Sequence, residues 1–397
     1  MRPSEVKPAP KRVRVLHLID TLRPGGAEEL VFTTVRHLDR HRFDPMVAVL
    51  GPPLDLMPEI ESAGVPVAVF NVRGPSDWPR AIWNLARFMR RNRVDIVHTH
   101  LRWSNVLGRL AAVISRTPCV VTTLHHLDYT YWPAMSISAR LWKAIDLLTA
   151  IAINDGLVAV SEAVRRDYVR RIAPRRVALI YNYLDIAAFG QPVETRAAAR
   201  HALGWCDEDF VLLAVGRLAP EKGHAYLVRA MAEILQTIPH ARLVLVGDGP
   251  QDGPLKALAD ELGIAHRLSA LGSRRDIRRL LTGSDLFVFP STGEAFGIAV
   301  IEAMAVGLPI ITTNVDGLAE IVRDGQDGLL VPHADAGALT AAVVKLFEDV
   351  PLRQALALEA RAAVGRRFSV KVVLPQLEDL YWSLMSRGGL EVAKASA

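Results

Sequence analysis

Two carboxylates eight positions apart, Glu294 and Glu302, flank the start of an apolar run in Pro290-Ser291-Thr292-Gly293-Glu294-Ala295-Phe296-Gly297-Ile298-Ala299-Val300-Ile301-Glu302-Ala303-Met304. Thr292-Gly293 and Phe296-Gly297 read as turns, residues 298 to 306 as a helix and Gly307-Leu308-Pro309 as its stop. Glu294 then stands before the first turn and Glu302 one to two turns inside, on the order of 10 Å away at the α-helical rise. That separation matches the span from a transferred sugar to the ribose of its nucleotide. The backbone N–H groups of Gly297, Ile298 and Ala299 lie between them, at a helix start that would welcome a diphosphate. On spacing alone the two acids could also be an acid/base couple, or a loop acid beside a solvated helix residue.

Three other clusters could do chemistry with them. Gly216-Arg217-Leu218-Ala219-Pro220-Glu221-Lys222-Gly223 follows an apolar strand, so Arg217 as a fork and Lys222 as a point charge can meet a diphosphate. Two fixed cations can carry the charge of a leaving nucleoside diphosphate without a metal. Thr21-Leu22-Arg23-Pro24-Gly25-Gly26-Ala27-Glu28 joins a strand to a helix through paired glycines, opening the amides at Gly25 and Gly26 to a phosphate or a sugar hydroxyl. It lacks the spacing of a dinucleotide fingerprint, which argues against a dehydrogenase. Asp95-Ile96-Val97-His98-Thr99-His100 and Thr122-Thr123-Leu124-His125-His126 end two strands in histidines, so His100 and His125 are expected at the sheet's switch region. Zinc could be drawn from four histidines, but no carboxylate or cysteine completes a familiar catalytic set, and no metal or other cofactor is expected.

The elements that must position these residues repeat a βα rhythm. Strands at 13–19, 44–50, 67–71, 96–100 and 119–124 alternate with helices at 27–38, 54–63, 79–92 and 104–115, and after a less regular stretch strands follow at 157–161 and 177–182. The rhythm restarts with strands at 210–216, 241–247, 268–272, 286–290, 309–313 and 328–331. This is an α/β chain with two doubly wound, Rossmann-like domains facing a central cleft, and in such sheets ligands sit beyond the carboxyl ends of the strands. The expected division is 1–190 for an acceptor-side domain, 191–368 for a nucleotide-sugar domain, and 369–397 for a helix and tail packing back on the first domain. The hinge is placed near Gly190-Gln191-Pro192.

Composition bounds the rest. A chain of 397 residues, 50% hydrophobic and 22% charged, is globular and exceeds the usual size of one core. Cys119 and Cys206 are too far apart in sequence to suggest a disulfide framework or a metal-ligand spacing, which fits a reducing compartment. The amino terminus shows no apolar signal core, and residues 141–160 carry Lys143, Asp146, Asn154 and Asp155, too polar for a spanning helix. A cytoplasmic location follows, with room for peripheral attachment at the cytoplasmic face of a membrane. Residues 1–190 hold 26 Lys/Arg against 17 Asp/Glu (+9), and residues 191–397 hold 21 against 25 (−4). The basic half should meet something acidic, and no nucleic-acid recognition motif accompanies it.

Gly25-Gly26-Ala27-Glu28, Asp95–His100, Val160-Ser161-Glu162, Asn182, Gly216–Gly223, Gly247-Asp248-Gly249-Pro250, Pro290–Glu302 and Gly317-Leu318-Ala319-Glu320-Ile321-Val322 occur in this order. In this the chain resembles family 4 of the retaining glycosyltransferases with the GT-B fold, over nearly its whole length and most specifically from Gly216 to Pro332. The resemblance implies transfer of a sugar from a nucleoside diphosphate sugar to an acceptor hydroxyl, without a metal. It implies that Arg217 and Lys222 hold the diphosphate, Glu294 the sugar hydroxyls, the amides near Gly297, Ile298 and Ala299 the phosphate, and Glu302 the ribose. The loop around Arg274 would meet the base, Gly26 the phosphate from the other domain, and His125 a hydroxyl of the reacting sugar. His100 and Asn182 fall on the acceptor side. Two positions depart from the pattern: Tyr183 follows Asn182 where the family often has glycine, and His126 follows His125.

A front-face substitution is expected, in which the leaving diphosphate helps deprotonate the acceptor and Glu294 positions rather than attacks. Residues 79–93 form an amphipathic helix with Ile82, Leu85, Ala86 and Met89 inward and Arg80, Arg87, Arg90 and Arg91 outward near Trp83, suited to an anionic bilayer. Trp103, Tyr129, Tyr131, Trp132 and Trp142 could line an apolar groove for a lipid-linked or cell-envelope glycan acceptor, or belong to the core. A sugar-nucleotide epimerase on the same scaffold and a non-catalytic nucleotide-sugar sensor are the rival readings. An epimerase would need no acceptor, and a sensor would release no nucleoside diphosphate.

Overall fold

A computed structural model describes residues 12–127, 137–173, 176–191 and 194–387. Strands β1 Val13–Ile19, β2 Phe43–Val49, β3 Val67–Val69, β4 Ile96–His100, β5 Cys119–Leu124, β6 Gly156–Ala159 and β7 Val177–Leu179 form one sheet in the order β3-β2-β1-β4-β5-β6-β7. Strands β8 Phe210–Val215, β9 Ala241–Val246, β10 Leu268–Ala270, β11 Leu286–Phe289, β12 Ile310–Thr313 and β13 Leu329–Val331 form a second, ordered β10-β9-β8-β11-β12-β13. Every pairing is parallel. Continuous apolar strands such as Phe-Val-Leu-Leu-Ala-Val in β8 are buried because helices cover both faces, as a parallel sheet requires. Strand order reverses beside β1 in one sheet and beside β8 in the other, so a ligand crevice opens past β1 and β4 and another past β8 and β11. The two doubly wound sheets are the fold that the sequence pattern predicts.

Local departures have physical causes. The strand expected at 177–182 stops at Leu179 because the chain leaves the sheet: Ile180 N still bonds Ala159 O (3.0 Å), but Leu184 N bonds Phe368 O (2.9 Å). The stretch read as less regular contains a helix, Ile137–Ile153, whose apolar residues spread around its circumference and give no clear period. Tyr129, Tyr131 and Trp132 lie outside the described residues, as does Pro192 of the expected hinge.

Contacts from the second half into the first tie the halves together. The last helix, Val370–Arg387, lays Val373, Leu374, Leu377 and Tyr381 into the core beneath β1 and β2, and Glu378 accepts from Asp39 N (2.9 Å). Glu320, from the second half, accepts from Glu162 N (2.7 Å) and Ala163 N (2.8 Å), filling the open amides at the start of helix Glu162–Val169 in the first half.

Candidate functional site

The second sheet's contribution is set by a close backbone approach. Gly223 has φ +67°, and a Cβ built there would stand 2.0 Å from Pro290 O, so no larger residue fits. The short turn Pro220–Lys222 is thereby pressed onto the loop after β11: Thr292 N bonds Glu221 O (2.8 Å) and Ser291 Oγ bonds the same oxygen (2.9 Å). Lys222 consequently reaches Glu294 in a direct ion pair, the two side chains 18% and 13% exposed. Its Nζ also lies 5.4 Å from the ring centroid of Phe289, a cation–π contact that holds the ammonium at the strand end. Arg217 stands outward, 59% exposed, and pairs with Glu221.

Glu294 leads into Gly297, at φ +108°, and then helix Ile298–Val306, the span expected from sequence. Glu302 sits in its second turn, partly buried. Burial, with the charge of Glu29 across the cleft adding to it, pushes its carboxyl up to about 8. Arg274 folds its fork onto Asp276 (Nε to Oδ1 2.7 Å, Nη2 to Oδ2 2.6 Å), and the neighbouring Ser273 N bonds Asp248 Oδ1 (3.1 Å).

The first sheet meets this from the opposite side. A Cβ built on Gly26, the first residue of helix Gly26–His37, would stand 2.9 Å from Ile298 Cδ1, so the starts of two helices from different sheets face each other. Both present the positive end of a helix dipole. Arg275 of the second half pairs with Asp55 of the first (2.7 Å) beside them. Acids cluster at the first sheet's lip. Asp20 accepts from Ser104 N (2.7 Å) and Ser104 Oγ (2.6 Å), and Glu28 from Thr21 Oγ1 (3.3 Å). Asp20, Glu28 and Glu29 are all raised, chiefly by burial.

Behind that lip lie the histidines. His17 on β1, His98 and His100 on β4 and His125 after β5 pack ring to ring, and the first three are 0%, 1% and 2% exposed. His100 Nε2 lies 3.1 Å from His17 Nδ1, and His100 Nδ1 3.2 Å from His125 Nε2. His98 bonds Tyr381 OH and Thr123 Oγ1 (2.7 Å). Burial holds all four rings low, His17 and His125 at about 3, so they are neutral at physiological pH. Side-chain nitrogens of His17, His98 and His100 lie within 4.8 Å of one another, the one set of buried ligands among the described residues that could gather round a metal ion.

Among the expected site residues, Lys222 and Glu294 are brought into contact, and Gly26 is brought to Ile298. His125 is partly exposed, and His100, expected on the acceptor side, is buried with its Nδ1 3.2 Å from His125 Nε2. Asn182 is also buried, its Oδ1 without a partner among the described residues. Tyr183 spends its hydroxyl on Thr34 Oγ1 (2.6 Å) in the core, and His126 is exposed. Sequence reasoning missed His17, Glu29 and the Asp55–Arg275 bridge. For His17 a signal existed: His98 and His100, two apart on one strand, share a face, and β1 is the neighbour whose face they meet.

Comparison with known proteins completes the picture. Residues 24–188 match the family described as Glycosyltransferase Family 4, and residues 195–363 that described as Glycosyl transferases group 1. The chain is 26% identical over 384 residues to UDP-Gal:alpha-D-GlcNAc-diphosphoundecaprenol alpha-1,3-galactosyltransferase of Escherichia coli, covering 95% of this chain and 98% of that one. It is 33% identical over 288 residues to D-inositol 3-phosphate glycosyltransferase of Mycobacterium marinum, 68% of this chain and 59% of the other. Among solved structures, Anabaena Alr3699/HepE in complex with UDP-glucose superposes with a TM-score of 0.84 at 25% identity, over 94% of this chain and 100% of that one. The chain belongs to family 4 of the retaining, GT-B-fold glycosyltransferases.

Proposed function

We propose that this family 4 glycosyltransferase moves a hexose from a UDP-sugar to a hydroxyl of a lipid-linked glycan at a membrane surface. The observation that carries the donor half is the convergence of Lys222, Glu294 and the helix starts at Gly26 and Ile298 on one point of the cleft. Two helix dipoles and a lysine make a site for a diphosphate, and the Anabaena relative was solved with a UDP-sugar. Lys222 exchanges Glu294 for the diphosphate, which frees the Glu294 oxygens to accept from sugar hydroxyls. The amides of Gly25, Gly26, Gly297, Ile298 and Ala299 take the phosphate oxygens, Glu302 the ribose hydroxyls, and backbone near Arg274 the base.

Chemistry then proceeds on one face of the sugar. The bond from the anomeric carbon to the diphosphate oxygen breaks, the acceptor oxygen bonds the same carbon from the same side, and its proton passes to the leaving diphosphate. Lys222, and Arg217 once it leaves Glu221, hold the charge that builds on that oxygen. His125 bonds a hydroxyl of the sugar.

The acceptor half rests on the outer surface of the first half. Arg80, Arg87, Arg90 and Arg91 are exposed on helix Trp78–Arg91 with Trp83, which is 60% exposed. Helix Arg102–Ser115 packs beside it and exposes Val113 at 58%. Helix Ile137–Ile153 follows, with Leu141 at 61% and Leu148 at 64%. Cations interleaved with apolar side chains suit an anionic bilayer. Trp78, Trp103 and Trp142 cluster with tilted rings at the cleft end of these helices, ring centroids 4.6 to 5.3 Å apart, where a lipid-borne sugar would enter. Among the described residues no helix is long and apolar enough to cross a membrane.

The test is turnover of a UDP-hexose with a polyprenyl diphosphate-linked sugar in anionic vesicles, followed by the anomeric configuration of the product. Retention, with release of UDP that requires the acceptor, supports the reading. A free epimerised sugar, or UDP-sugar binding without turnover, contradicts it. The triple variant Arg87→Glu, Arg90→Glu, Arg91→Glu should lose co-sedimentation with the vesicles while donor hydrolysis persists; unchanged sedimentation counts against the membrane surface.

A further inference from the structure

We propose that His17 and His100 are positioning residues that fix His125 in the tautomer carrying its proton on Nδ1, so that His125 meets the sugar as a hydrogen-bond donor and not as a base. The inference rests on the reading of His125 as a wall of the sugar site, and its structural core stands without it.

The three rings form a line across neighbouring strands, His17 Nδ1 to His100 Nε2 (3.1 Å) and His100 Nδ1 to His125 Nε2 (3.2 Å). Each ring is neutral, so each has one N–H and one lone pair. Each link needs one donor and one acceptor, which leaves the line two polarities only. In one, protons sit on Nδ1 of all three rings; in the other, on Nε2 of all three. The inner end decides between them. His17 Nε2 is buried and has no hydrogen-bond partner among the described residues. With the proton on Nε2 it would be an orphaned buried N–H; with the proton on Nδ1 it is an unused lone pair. Orphaned buried donors are the rarer and costlier of the two. His17 therefore donates to His100, His100 donates to His125 Nε2, and His125 keeps its proton on Nδ1, which has no partner among the described residues. An outward N–H matches a sugar oxygen.

His98 braces the line from the side. Its ring lies 4.3 Å from that of His100, with its two nitrogens engaged by Tyr381 OH and Thr123 Oγ1, so the carboxyl-terminal helix reaches the array. Those bonds also occupy the nitrogens a metal would need from His98.

Long-range proton–nitrogen NMR of histidine-labelled, full-length protein with UDP bound reads the tautomers directly. The wild-type spectrum, which needs no folding-sensitive variant, should show His125 protonated at Nδ1 and bare at Nε2. His125 protonated at Nε2, or a stoichiometric metal retained on the array, would overturn the proposal. His100→Leu, checked for an intact UDP-induced melting shift, should mix the His125 tautomers and lower kcat on the order of ten- to a hundredfold with little change in donor KM. His100→Asn, whose Nδ2–H takes the place of the imidazole Nδ1–H facing His125 Nε2, should restore most of both. An unchanged His125 tautomer in His100→Leu contradicts the relay. A correct wild-type tautomer together with full activity in His125→Ala would leave the relay standing and sink the sugar-site role of His125.

Discussion

The first half of the chain carries a net charge of +9 and the second −4, yet the side chains at the cleft do not follow that division. Asp20, Glu28, Glu29 and neutral histidines face inward from the basic half, while Arg217 and Lys222 stand on the acidic half beside the opening of a helix. Net charge therefore does not locate the cations of the cleft. Arg80, Arg87, Arg90 and Arg91 of the first half lie on an outer helix, and burial raises the carboxyls of Asp20, Glu28 and Glu29 at its cleft edge. The second half sets Arg217 and Lys222 just after β8, Lys222 paired with Glu294 ahead of helix Ile298–Val306.

The comparison breaks first at Lys222. Lys222→Ala should cut turnover by roughly a thousandfold, as loss of a transition-state charge partner does, in an assay of UDP released from UDP-sugar with acceptor present. A variant with near wild-type turnover would mean that the cationic lip is not where charge develops.

Glu294→Gln separates sugar from phosphate. Turnover should fall about a hundredfold through misplacement of the sugar. Binding of UDP alone should tighten a few-fold, because Lys222 no longer shares its charge with an internal acid. Calorimetry with UDP checks this, and weaker UDP binding would show that Glu294 supports the phosphate instead.

The smallest effect sharpens the acidic side. Glu302 has its carboxyl at about 8 in the folded chain against an ordinary 4.5. The fold thus holds a proton that the unfolded chain has released, so this group's contribution to stability declines as pH rises from 4.5 to about 8 and is level above that. Ribose hydroxyls favour the charged form, so UDP binding at pH 7 should release part of a proton, seen as a buffer-dependent binding enthalpy. Glu302→Gln should remove that release and flatten the pH dependence of melting. Equal buffer dependence in the two proteins would take Glu302 out of the ribose site.

How much of this was legible in sequence differs between the two halves. The strand–glycine–helix punctuation around Gly223 and Gly297 is local, so helix Ile298–Val306 and the approach of Lys222 to the 290s could be anticipated. Even there, the direct pairing of Lys222 with Glu294 was hidden, since it depends on the depth to which Gly223 sinks against Pro290. The first half's site draws on residues from three strands, and a single histidine in Val-Leu-His-Leu-Ile carries no mark of the partner it will meet on β4. Only the strand order β1-β4-β5 assembles His17, His100 and His125. Contacts between halves, such as Asp55 with Arg275 and Glu320 with the start of helix Glu162–Val169, belong to the docking of two sheets and leave no periodic trace.

The central claim is that the donor's diphosphate is held by Lys222 between the two helix starts. Calorimetric titration of wild type and Lys222→Ala with UDP and with uridine tests it most directly. UDP should bind wild type at least about a hundredfold more tightly than uridine, a gap of two or more charge-assisted contacts, and the gap should largely close in Lys222→Ala while uridine binding is unchanged. A gap that persists undiminished in Lys222→Ala would place the diphosphate elsewhere and contradict the account.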